Sequence, residues 1–423
     1  MTVIASETQS FTNLVDNWVL DAIASGITAF DQLVTSLPGV YPSLVLYSLQ
    51  CLASTGLISM EILTEAERYV GQKQQQLDNS YHRMKLPIPH PLDYDWRFSN
   101  SAVEHLLDKC LLLSHPDDTV ALLGAPSVLR LAIEHKYPRQ MTLLDANPLI
   151  ADCLARVVSP ALVVQCDIGK DQLPDALSSV VIVDPPWYEE SMQSFLWAAG
   201  HLCAIGGHVL ASIPPIGTRP GIDQEWANFL NWAQKIGLTL IRVESAVLPY
   251  ISPPFERNAL RTEGLYSAPS QWRHGDLAVF SHSFHTATER PIVPPCEGKW
   301  VEEVLLGVRV RIRHSDEQGF EDPSLLSVVL GDVLPSVSRR DGRRGLADIW
   351  TSGNRIFACR GRNVLRQILH ALAVGQSAHE TLAAMLNREL CDREVKLTSH
   401  TIQQITEVIC LEWNENLRFG EEL

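Results

Sequence analysis

The chain has 423 residues, 46% of them hydrophobic, which is enough apolar material for two or three domains. Its 34 Lys and Arg against 49 Asp and Glu give a formal net charge of -15, and this excludes a protein that coats nucleic acid through a general surplus of cations. No run approaches the roughly 20 apolar residues of a membrane helix, and the opening MTVIASETQSFTNLVDNW lacks a signal-peptide layout, so a soluble, cytoplasmic protein without membrane association is expected. Cys51, Cys110, Cys153, Cys166, Cys203, Cys296, Cys359, Cys391 and Cys410 are scattered and never spaced C-x-x-C. They read as reduced core residues, and no metal site is expected.

Residues 1–75 are expected to form a winged-helix-like domain. Trp18, Val19, Leu20, Ala22 and Ile23 give one apolar stretch, and Phe30, Leu33, Val34 and Leu37 a second at helical spacing that Pro38-Gly39 ends. A third helix starting near Pro42 carries Val45, Leu49 and Leu52, and the apolar pair Leu57-Ile58 reads as a following strand. Residues 76–100 are polar, hold prolines at 87, 89 and 91, and read as a linker.

From 101 to 285 short apolar runs alternate with helical segments, the pattern of a doubly wound parallel α/β sheet. The runs are Thr119–Gly124, Met141–Asp145, Ala161–Asp167, Ser179–Asp184 and His208–Ile213, with Leu238–Val243 and Asp276–Ser281 as a closing pair. Between that pair lies a Pro-rich insert, Pro249–Arg273, read as a loop covering the site. Residues 286–423 are expected to form a C-terminal α+β domain, with winged-helix likeness as one reading. It has an alternating strand at Val308, Val310 and Ile312, and helices around 363–390 and 399–416. Gly26–Leu37 aligns without gaps on Gly375–Leu386, each a glycine, a hydroxyl and then an acid three residues on, as in a capping box.

In such a sheet ligands sit at the carboxyl ends of the strands. The first ends in Gly124-Ala125-Pro126-Ser127, where the glycine permits a close backbone approach. The second ends at Asp145, followed by Asn147, and an acid about 20 residues past a glycine turn suits ribose hydroxyls. The third ends at Asp167, followed by Ile168, where a carboxylate suits an adenine amino group. The fourth ends in Asp184-Pro185-Pro186-Trp187-Tyr188. Two prolines preset that turn, and a carboxylate with a prolyl carbonyl can hold an amine so that its lone pair points along the line of attack, while Trp187 or Tyr188 packs on it.

With these residues on view, residues 101–285 resemble the class I S-adenosylmethionine-dependent transferases whose Asp/Asn-Pro-Pro-aromatic motif acts on amino nitrogens. The resemblance implies a Rossmann-like methyltransferase fold. It also implies a cofactor-binding set of Gly124, Ala125, Ser127, Asp145, Asn147, Asp167 and Ile168, and an acceptor set of Asp184, Pro185, Pro186, Trp187 and Tyr188. The broader layout, with Pro89-His90-Pro91 and Tyr94-Asp95 in the linker, is similar to the branched-chain polyamine synthases, which use decarboxylated S-adenosylmethionine. Those carry a run of acids after the first-strand glycine, which Gly124-Ala-Pro-Ser127 lacks, so methyl transfer to an amine-bearing substrate ranks ahead of aminopropyl transfer, with a nucleobase exocyclic amine one candidate acceptor. A catalytically silent binding module is the reading from a different class.

Arg339, Arg340, Arg343, Arg344, Arg355, Arg360 and Arg362 stand against only Asp341 and Asp348 in one stretch of an acidic chain. The block suits nucleic-acid phosphates or an acidic protein partner. A homo-oligomer is a further expectation.

Overall fold

The computed structural model describes residues 2–72, 84–159, 162–293, 298–316 and 319–418. Residues 76–83 of the expected linker, Ala161 of the third strand, and Cys296 lie outside the described residues.

Four helices open the chain, α1 (Thr2–Ala24), α2 (Phe30–Ser36), α3 (Pro42–Ser54) and α4 (Met60–Gly71). Val15, Val19, Phe30, Leu33, Val34, Val45, Leu49 and Leu52 meet in one core, so the helical spacing of the sequence holds. The strand expected at Leu57-Ile58 is not one. Gly56 turns the chain with φ +74, Ile58 alone buries, and Leu63, Ala66 and Val70 continue at helical spacing as the inner face of α4. Among the described residues no strand precedes residue 97, so the module carries helices without a wing.

A two-stranded anchor follows: β1 (Arg97–Phe98) pairs antiparallel with the end of β7 (Leu238–Ile251). The chain then alternates through α5 (Asn100–Leu113), β2 (Thr119–Leu123), α6 (Pro126–Glu134), β3 (Gln140–Asp145), α7 (Pro148–Ala155), β4 (Val163–Gln165), β5 (Ser178–Val183), α8 (Glu189–Leu202), β6 (Cys203–Ile213), α9 (Ile222–Lys235), β7, α10 (Pro254–Thr262) and β8 (His274–His282). The strand order is β1-β7-β8-β6-β5-β2-β3-β4; β2 to β6 run parallel and β8 antiparallel to its neighbours. Each of the seven apolar runs read between 101 and 285 contains a strand, the third over Val163–Gln165. β2 lies between β3 and β5, so the winding reverses there and the crevice opens above the ends of those strands. Leu122, Val180, Ile182 and Leu210 bury on one face of the sheet, and Leu123, Val181, Val183 and Ala211 on the other, as helices on both sides require.

The insert read as Pro249–Arg273 starts inside β7, which continues to Ile251 across irregularities at Leu240/Arg242 and Glu244/Leu248. Those interruptions break the period-2 pattern and hide the strand's second half. The insert itself forms α10, opened by Pro254 at its first turn.

An antiparallel sheet of order β11-β13-β12-β10-β9 makes the C-terminal part, from β9 (Trp300–Leu305), β10 (Val308–Arg313), β11 (Ser324–Ser327), β12 (Ile349–Thr351) and β13 (Ile356–Arg360). The segment 363–390 is two helices, α11 (Arg362–Ala373) and α12 (Ala378–Leu386), because Gly375 takes φ +72 between them. The last helix, α13 (Asp392–Arg418), starts earlier than expected. Of the two aligned segments only the second has a side-chain cap: Ser377 Oγ accepts from the Glu380 amide at 3.4 Å, whereas α2 is entered at Ala29 with none.

Candidate active site

The crevice is a cavity of about 800 Å³, a size suited to a small-molecule ligand. Asp145, Asp167 and Asp184, from the ends of three different strands, all line it. So do Gly124, Asn147, Ile168, Pro185, Pro186, Trp187 and Tyr188. Ala125 and Ser127 do not line it; both are buried in the turn that starts α6.

Asp184 follows β5, and its amide donates to the Leu123 carbonyl at 3.0 Å, which ties the acceptor turn to β2. The Tyr250 hydroxyl donates to Asp184 Oδ1 at 2.6 Å and lies 2.5 Å from Ser212 Oγ. Burial holds the Asp184 carboxyl well above the usual carboxylate range, and the Tyr250 hydrogen bond pulls the other way. Tyr250 was missed because it fell within the stretch read as an insert, and Ser212 ends β6 without any motif around it. Trp187 is buried, edge-on to Tyr250 at 5.6 Å between ring centroids, and Gly275 leaves room for it: a Cβ there would stand 3.2 Å from the indole. Tyr188 is edge-on to Tyr94 at 5.6 Å.

Gly124 has φ +64, and a Cβ there would meet the Asp184 carbonyl oxygen at 3.1 Å and the Phe195 ring at 3.2 Å. The close approach that this glycine serves is therefore to the chain's own acceptor turn. Asp145 Oδ1 accepts from the Asn147 amide at 2.8 Å, and burial pushes its carboxyl up to about 7, with Asp95 and Asp93 adding to the rise. Asn147 caps α7 through the Leu149 amide at 3.0 Å and donates to Asp93 at 2.9 Å. Asp167 accepts from the Gly169 amide at 2.9 Å and pairs with Lys170 at 2.7 Å, so it also shapes its own turn.

Acids that sequence reading left in the linker reach this crevice. β1 pairs beside Tyr250, and the Ser99 amide donates to the Pro249 carbonyl at 2.8 Å; this anchoring brings Asp93 and Asp95 into the cavity wall. Asp95 pairs with Arg97 at 2.8 Å, and Asp93 with Arg309 at 2.6 Å. Arg273 is fixed between two indoles, its guanidinium carbon 4.2 Å from the Trp96 ring centre and 4.5 Å from that of Trp187.

Most of the arginine block is paired within the molecule. Arg339 pairs with Glu190 and lies over Tyr188 at 4.3 Å, and Arg340 pairs with Glu225 at 3.0 Å; both line the cavity. Arg343 pairs with Asp341 at 2.6 Å and Arg362 with Asp348 at 3.6 Å. Arg344 is buried over Trp350, and Arg355 is buried against Glu412 and Glu415. Arg360 is exposed. Among the described residues no group of three or more His, Cys, Asp or Glu is placed to hold a metal ion, and no helix is long and apolar enough to cross a membrane.

No protein-family model and no curated protein matches the sequence. Solved structures do. The C9 variant of the branched-chain polyamine synthase of Thermus thermophilus, solved with N4-aminopropylspermidine and 5′-methylthioadenosine, superposes with a TM-score of 0.52 at 12% identity, covering 70% of this chain and 96% of its own. The unaltered synthase gives 0.49 at 14% identity, covering 67% and 91%. A TehB-like S-adenosylmethionine-dependent methyltransferase from Corynebacterium glutamicum gives 0.31 at 14% identity, covering 44% and 89%. With the strand order above, the likeness to the C9 variant shows a Rossmann-like fold, joined here to a helical module before it and an antiparallel sheet after it.

Proposed function

We propose that the protein transfers an alkyl group from an S-adenosylmethionine-type sulfonium to the nitrogen of an aliphatic amine, with aminopropyl transfer from the decarboxylated donor as the first reading. The observation that carries it is the meeting of Asp95, Asp145 and Asp184 at the switch point. Asp95 raises the pKa of both other acids, so it acts on the nucleoside end and the amine end alike. Arg97, which pairs with Asp95 at 2.8 Å, lowers the Asp145 pKa by less than Asp95 raises it. A donor arm ending in a carboxylate is repelled there, and one ending in an ammonium is attracted. The acids missing from the Gly124 turn thus come from the linker and the strand ends, which reverses the order drawn from sequence.

The residues fit such a donor: Asp145 and Asn147 for the ribose, Asp167 and Ile168 for the base, in a cavity of adequate size. When bound, the donor supplies a carbon on positively charged sulfur, which leaves as a neutral thioether as the C–N bond replaces the C–S bond. Asp184 accepts an N–H of the acceptor and, with its pKa held high, takes the proton the nitrogen loses. Tyr250 and Ser212 keep its carboxylate in one orientation. A stacked nucleobase has less support, because Arg273 already covers a face of Trp187. Methyl transfer is the second reading; the cation it would need for a donor carboxylate is Arg311 in the cavity wall, which already pairs with Asp93 at 2.5 Å and Glu302 at 3.2 Å.

The test supplies the protein with a linear triamine and either S-adenosylmethionine or its decarboxylated form, and reads the products by mass spectrometry. Aminopropylated triamine supports the first reading and methylated amine the second. No product with either donor, together with no calorimetric binding of 5′-methylthioadenosine, overturns both.

A further inference from the structure

Glu256 stands in the first turn of α10, where the sheet domain, the N-terminal module and the C-terminal part converge. Leu260, Leu265 and Trp272 of the insert join the apolar core of the N-terminal helices, and Asn258 donates to the Gly353 carbonyl at 2.9 Å. The insert is therefore held from both sides. Glu256 is 1% exposed and lines the cavity, yet neither of its carboxylate oxygens has a hydrogen bond of normal geometry. A buried acid in that condition is costly unless a ligand completes it.

The groups that face it are Arg273, Glu263 and Tyr41, whose hydroxyl is near enough to act on the carboxyl as a loose hydrogen-bond donor but not at normal geometry. Arg273 acts on both Asp184 and Glu256, but it is pinned between Trp96 and Trp187 and makes no hydrogen bond to Glu256. One fixed cation thus serves two acids, the half-buried Asp184 and the buried Glu256. Aromatic rings complete the wall: Trp272 is edge-on to Tyr41 at 5.3 Å and to Trp96 at 6.0 Å. A carboxylate beside aromatic faces is the chemistry that holds an alkylammonium.

We infer that Glu256, walled by Tyr41, Trp96 and Trp272, is a second ammonium subsite that reads a charged nitrogen of the acceptor other than the one at Asp184. This rests on the amine-transfer reading. It assigns the insert a role in choosing acceptors with two or more amino groups over simple amines. Burial has pushed the Glu256 carboxyl up to about 7, so it gives up its proton readily once a cation arrives.

The test is calorimetric binding of a linear triamine and of a monoamine of matching chain length, to the wild-type chain and to Glu256→Gln. The triamine is expected to bind the wild type on the order of tenfold or more tightly than the monoamine, as one charge-assisted contact implies. The Gln variant, of equal shape, is expected to lose that preference and to bind 5′-methylthioadenosine unchanged. A Gln variant that keeps the preference overturns the inference. So does a wild type without the preference, which needs no variant at all. If the wild type binds the nucleoside and alkylates both amines equally, the inference falls and the transfer reading stands. If it binds neither nucleoside nor amine, the transfer reading falls first and the subsite with it.

Discussion

Asp184 is half-buried and accepts a hydrogen bond from Tyr250, and that bond opposes the rise in its pKa that desolvation causes. Removing the hydroxyl leaves the burial and deletes the opposing contact. Tyr250→Phe is therefore expected to raise the Asp184 pKa further. Because the carboxylate form takes the proton from the acceptor, activity climbs as pH rises through that pKa, and the acidic limb of the pH–rate profile moves to higher pH in the variant. A profile that keeps its limb where the wild type has it shows that another group titrates. Ser212 gives a milder version of the same perturbation, since its pull on the Asp184 carboxyl is weaker than that of Tyr250.

At the scale of elements, the turn after β2 and the turn after β5 rest on each other through Gly124. Gly124→Ala adds a Cβ at φ +64 that faces the Asp184 carbonyl at 3.1 Å. The left-handed backbone alone costs about 1–2 kcal/mol for a residue with a side chain. The expected result is a loss of at least that size in urea unfolding, together with weakened activity; unchanged stability means the two turns separate freely. The strands that carry Asp145, Asp167 and Asp184 were legible because each is a short apolar run ending in an acid, and a parallel sheet covered on both faces forces that pattern. β7 was half legible. Its irregularities and its Pro249 break the alternation just before Tyr250, and the partner hydroxyl of the acceptor acid vanished into an apparent loop. Leu57-Ile58 misled because two apolar residues do not define a period, and 363–390 because helical spacing continues across the break at Gly375. The arginine block was visible, but Glu190, Glu225, Glu412 and Glu415, the acidic partners of Arg339, Arg340 and Arg355, are distant in sequence, so those pairings were not.

Across the whole molecule, the C-terminal part is tied to the linker rather than appended to it. Arg309, 1% exposed, bonds Glu302 at 2.6 Å, the Ile88 carbonyl at 3.0 Å and Asp93 at 2.6 Å. His90 is buried with its Nδ1 accepting from the Leu92 amide, so Nε2 carries the proton and donates to the Trp350 carbonyl at 3.1 Å. Arg309→Met removes one of the two cations paired with the half-buried Asp93 and Glu302, which keep Arg311, and a loss of about 1–3 kcal/mol is expected in urea unfolding. Asp93 also accepts from Asn147, so the variant is expected to weaken 5′-methylthioadenosine binding. Intact stability and affinity would show that the junction is not part of the binding wall. The Arg273 guanidinium, clasped by two indoles, has a consequence for turnover. Each alkylated product of aminopropyl transfer carries one more positive charge than the acceptor that entered. An immovable like charge in the chamber opposes retention of that heavier cation, and so favours emptying the site after every cycle over clogging it.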